Sequence, residues 1–150
     1  MTSWFRRDRK QAPAAVRGPL EIHQPWARQD LKSALRAGGF LTVTNQGAEP
    51  DRLVAASSAA AESIEIHAIK VVGAGIKMHP LAEGLVIPAE NTVTLKPRGY
   101  HLLLQGLKAP LSAGSRLQAM LTFEKAGDIA IELLIEAPGP IGESALHEGR

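Results

Sequence analysis

The run Ile64–Pro80 reads IEIHAIKVVGAGIKMHP, two apolar segments on either side of Gly73-Ala74-Gly75. β-Branched residues favour a pleated strand, and a short glycine-containing connection folds one strand back on the other, so the run predicts a β-hairpin. Ten residues separate His67 from Met78, and the turn between them brings the thioether back towards the imidazole. Farther on, GYHLLLQG (Gly99–Gly106) is a short apolar strand between glycines with His101 near its start. Strand side chains alternate faces, so His101, Leu103 and Gln105 share one side while Leu102 and Leu104 share the other. Imidazole and thioether together suit copper, above all Cu(I), because soft sulfur selects the softer cuprous ion. On residue type alone, His67 and His101 read as ordinary strand histidines and Met78 as core or rim filling.

The rest of the chain extends the β reading. Leu20–His23 alternates and predicts a strand, with Trp26 after Pro25 as a buried anchor where that strand leaves the sheet. Asp30–Arg36 is compatible with a helical turn or a loop. Phe40–Thr44 predicts a strand ended by Asn45-Gln46-Gly47, and Leu53–Ala56 a short one running into a loop or bulged edge. Leu85–Ile87 and Thr92–Leu95 are short strands stopped by Pro88 and Pro97. Arg116–Glu124 and Ile129–Glu136 form a closing pair. Many short strands with frequent turn signals and no long helical period indicate an all-β fold, an antiparallel β-sandwich.

The same residues carry a family resemblance. His67, Met78 and the GYHLL run at Gly99–Leu103 resemble the copper signature of the PCu(A)C copper chaperones, which runs His, Met, then His-x-Met. The first interval matches and the second is one residue longer here. PWAR (Pro25–Arg28), LVAASS (Leu53–Ser58), IPAENTVTLKPRGYH (Ile87–His101), GLKAPL (Gly106–Leu111) and LTFEKAG (Leu121–Gly127) extend it across Pro19–Glu136. The resemblance implies a cupredoxin-like Greek key, a periplasmic location, and a carrier of one copper ion. The carrier would deliver its copper by ligand exchange to a copper-accepting protein such as cytochrome c oxidase subunit II or a Sco-like protein. It makes His67, Met78 and His101 the metal ligands. The chain departs from the pattern at Leu103, which stands where the last methionine would be and cannot donate. Three donors remain, rich enough in nitrogen to accept Cu(II) more readily than a site with two methionines. The alternative is a family-derived β-sandwich interaction module that has lost tight copper binding. His79, Met120 and His147 are lesser candidates for a further donor, and His23 reads as a surface residue.

Composition bounds the rest. A chain of 150 residues, 45% hydrophobic, is long enough for one core. Without cysteine it has neither disulfides nor thiolate metal sites. Met1–Gly18 holds five basic residues against Asp8, so this segment is +4 and the remainder, given +2 in all, is −2. The domain itself is therefore no nucleic-acid binder by charge. Residues 1–18 read as a disordered basic arm with at most weak contact to anionic lipid, 19–137 as the domain, and 138–150 as a flexible tail. The basic start is not followed by the apolar segment of a secretory signal, which leaves the cytoplasm as the alternative location. No G-x-S-x-G, H-E-x-x-H, P-loop or G-x-G-x-x-G motif is present. The expectation is a binding protein, not an enzyme.

Overall fold

The computed structural model describes residues 12–73 and 75–141. They form eleven strands and, among the described residues, no helix. In chain order these are β1 (Ala15–Arg17), β2 (Leu20–Asp30), β3 (Ser33–Asn45), β4 (Asp51–Ser57), β5 (Ala61–Val72) and β6 (Gly75–Pro80). They continue as β7 (Leu85–Ile87), β8 (Asn91–Leu95), β9 (His101–Leu107), β10 (Arg116–Phe123) and β11 (Gly127–Gly139). Hydrogen bonding runs β2-β11-β10-β4-β5-β9-β3 and returns through a β2–β3 pairing, which closes the sheet on itself. Every pairing is antiparallel except that of β11 with β2. Closure is thinnest between β4 and β5, joined by the single pair Ala56↔Ile64. The all-β, cupredoxin-like sandwich read from the sequence is the fold of the chain.

Two strands show how side-chain pattern sets the layers. β10 alternates exposed and buried residues, with Leu117, Ala119, Leu121 and Phe123 inside, as a strand with one wet face must. In β9, by contrast, His101, Leu102, Leu103 and Leu104 are all buried. Leu102 and Leu104 enter the main core with Leu41, Ile64, Ile66 and Leu121. Leu103 faces the other way, into a second cluster with Phe40, Ile141 and the half-buried Trp26. The outer face of β3 and β9 therefore has its own cover. Gly38 makes that cover possible, because a Cβ there would lie 2.8 Å from both Ile141 and the Phe40 ring.

Several expectations need correction. Ala15–Arg17, inside the segment read as a disordered arm, is β1, paired with β2 through Ala15↔Ile22 and Arg17↔Leu20. The tail read as flexible from residue 138 remains part of the domain to Ile141. β11 runs to Gly139, Ile141 is 1% exposed, and Arg28 donates hydrogen bonds to the Pro140 carbonyl. Within Asp30–Arg36 only Leu31-Lys32 form a turn, that of the β2–β3 hairpin: Asp30 ends β2 and Ser33–Arg36 open β3. Buried Asp30 accepts the Lys32 amide at 3.2 Å and two Arg36 guanidinium hydrogen bonds at 2.9 and 2.6 Å. Trp26 does not leave the sheet: it stays in β2, paired to Phe40 and Leu134. The remaining parts of the arm and tail, including Trp4 and His147, lie outside the described residues.

Candidate metal centre

Strand register brings the three candidate ligands to one place. β5 lies between β6 and β9, and His67 is directly opposite His101, so the two imidazoles project from the same face. Met78 pairs with Ile69, two residues along β5 from His67 and hence on that same face. His79 pairs with Ala68 and points the other way. Met120 lies in β10, opposite Ser57 and Ala130, away from this face. His23 hydrogen-bonds Glu21 at 3.0 Å in β2.

The geometry within the cluster is close. His101 Nε2 lies 3.2 Å from Met78 Sδ. The His67 and His101 ring centroids are 5.7 Å apart at 39°. A tetrahedral ion with bonds of about 2.0 Å to nitrogen and 2.3 Å to sulfur would span a gap of roughly 3.5 Å. The two donor atoms thus need to separate by only about 0.3 Å. Among the described residues no trio of His, Cys, Asp or Glu side chains is grouped tightly enough to hold a metal. Any metal selectivity here rests on the sulfur.

Hydrogen bonding fixes which atoms carry lone pairs. His101 Nδ1 donates to the Gly99 carbonyl at 2.9 Å. That carbonyl is presented by the Lys96–Gly99 turn, in which the Gly99 amide bonds the Lys96 carbonyl at 2.9 Å. Pro97 and Arg98, the latter at φ 70°, occupy its central positions, the φ requirement of a type II turn. His101 is fully buried. Burial lowers its pKa; the Gly99 hydrogen bond opposes this, while repulsion from His67, whenever that ring is protonated, and from Arg36 adds to it. Its proton therefore sits on Nδ1, and Nε2 meets the sulfur as lone pair against lone pair. An interposed cation relieves that opposition.

The surroundings divide sharply. On one side the His101 ring stands 6.5 Å from Phe40, which stacks on Trp26 at 4.5 Å. Leu103 is 3% exposed in that apolar cluster, so the position of the missing methionine is filled by packed hydrocarbon. On the other side His67, 7% exposed, contacts Glu65 through Nε2 at 2.8 Å, and its buried Nδ1 has no hydrogen-bond partner. Glu65 is not among the site residues named from the sequence. The available signal was the Glu-x-His spacing, which places both side chains on one strand face.

A cupredoxin-like sandwich with a His–Met–His cluster on the outer face of β5, β6 and β9 defines a PCu(A)C-type domain. Its fold is similar to the copper-bound PCuAC domain from PmoF2, with a TM-score of 0.69 and 30% identity over 82% of this chain and 97% of that one. It is also similar to CuI-DR1885 from Deinococcus radiodurans, with a TM-score of 0.60 and 25% identity over 87% and 85%. Residues 20–135 match the family described as "Putative lipoprotein LpqE-like", and the chain belongs to that family. It is 32% identical over 113 residues to "Putative lipoprotein Lxx21020" of Leifsonia xyli subsp. xyli (strain CTCB07), covering 75% of this chain and 67% of the relative.

Proposed function

We propose that the chain is a copper carrier that holds one ion through His67, Met78 and His101 and releases it by ligand exchange. The observation that carries this reading is the 3.2 Å approach of His101 Nε2 to Met78 Sδ while the imidazole proton is held by Gly99. Because that proton is already placed, Nε2 takes up and yields a cation without exchanging it. The donor set contains no carboxylate or thiolate, so transfer to an acceptor does not wait on one. Met78 is the most accessible of the three, the donor an incoming ligand would displace first. The copper named in the PmoF2 and DR1885 structures supports the choice of metal. Two imidazoles and one thioether suit Cu(I), with Cu(II) the alternative.

The lipoprotein descriptions of the family and of the Leifsonia relative support work in the cell envelope. There a copper-accepting protein, such as cytochrome c oxidase subunit II or a Sco-like protein, would be the recipient. The role is binding and handover rather than catalysis. One observation favours a second reading, an interaction module with weak copper affinity: the burial of Leu103 removes any fourth donor at that position. Cu(I) titration against a competing chelator separates the two. Stoichiometric uptake that weakens about 100-fold or more in Met78→Ala and His101→Ala supports the carrier; no uptake at micromolar copper supports the module.

A further inference from the structure

We propose that Glu65 is a positioning residue for the metal centre, and that it makes Nδ1 rather than Nε2 the donor atom of His67. The inference rests on the copper reading above. A carboxylate can only accept, so the 2.8 Å contact between Glu65 Oε1 and His67 Nε2 requires the proton on Nε2. In the neutral ring, the form that can bind a metal, that leaves Nδ1 as a lone pair, and Nδ1 is the buried atom with no hydrogen-bond partner. Such an atom has lost its water without gaining a bond, an arrangement that a coordinated cation resolves. A carboxylate behind a ligating imidazole both fixes its tautomer and raises its basicity. Half-exposed, with 47% of its side chain accessible, Glu65 contributes little to the core, so its replacement leaves the fold intact.

Two measurements on the full chain test this. A long-range proton–nitrogen NMR spectrum of the copper-free protein should show His67 protonated at Nε2, and addition of Cu(I) should shift Nδ1 while Nε2 keeps its proton. Glu65→Leu should weaken Cu(I) binding by roughly 10- to 100-fold, with Glu65→Gln, whose amide oxygen still accepts the proton, restoring most of it. A copper-free His67 protonated at Nδ1, or a Cu(I) shift centred on Nε2, overturns the proposal. So does a wild-type chain that binds copper while Glu65→Leu binds it equally well, and in that case the carrier reading stands. A wild-type chain that takes up no copper overturns the carrier reading and the role of Glu65 with it.

Discussion

His101 and Leu103 sit two residues apart on the outer face of β9 and meet two unlike neighbourhoods. Leu103 lies in a dry cluster of Phe40, Ile141 and Trp26, where contact area is what counts. His101 lies among a thioether, a second imidazole and a backbone carbonyl, where lone pairs are left facing one another. The first neighbourhood draws on β2, β3, β9 and Ile141, just beyond β11, and packs the outer face of β3 and β9. The second draws on β5, β6 and β9 and leaves polar atoms short of partners. The apolar half should carry stability and little affinity, and the donor half the reverse.

The largest expected effect is on the apolar side. Phe40→Ala removes a fully buried ring from between Trp26 and His101. It should lower unfolding free energy by about 3–5 kcal/mol in urea denaturation, with Cu(I) affinity of the remaining folded protein nearly kept. On the donor side, Met78→Ala should leave stability within about 1 kcal/mol, since the side chain is half-buried. Its 100-fold affinity loss, about 2.7 kcal/mol, would then appear almost wholly in the titration. Equal losses in both assays from either variant would mean the two halves are one unit.

Leu103→Met crosses the boundary. The exchange conserves volume and should cost less than about 1.5 kcal/mol of stability. It adds a thioether on the His101 face and should raise Cu(I) affinity about tenfold, reducing acceptance of Cu(II). Unchanged affinity would show that the apolar cluster holds the new side chain away from the donors.

The smallest effect is of pH. Burial holds His101 below its ordinary value of 6.5. As pH falls below 6.5 the unfolded chain binds a proton that the folded one resists, so this contribution to stability is complete above 6.5. It is lost progressively as pH falls through the lowered value of the folded state. Copper-free unfolding measured down from pH 7 should show this decline, and His101→Asn should remove that part of the slope.

Much of this division was readable in the sequence, because its signals are local. Gly73 to Gly75 announces the hairpin, the glycines around GYHLLLQG bound β9, and strand alternation sets His101 and Leu103 on one face. The missed parts depend on distant partners. Ile141 stands in a Pro- and Gly-rich stretch that looks like a tail, and its burial depends on Gly38 lacking a side chain. Asp30 and Arg36 close a hairpin through an ion pair that neither a helical nor an alternating pattern announces. β1 is short and mostly exposed, and only its pairing with β2 reveals it. At the candidate site the three proposed donors stand out in the sequence, whereas Glu65 does not, because only its contact with His67 Nε2 ties it to them.

X-ray absorption at the copper edge on the Cu(I)-loaded chain reads the donor set itself. One sulfur and two nitrogen scatterers, the sulfur vanishing in Met78→Ala, is the predicted result. A first shell of nitrogen and oxygen alone, unchanged by that substitution, would contradict it.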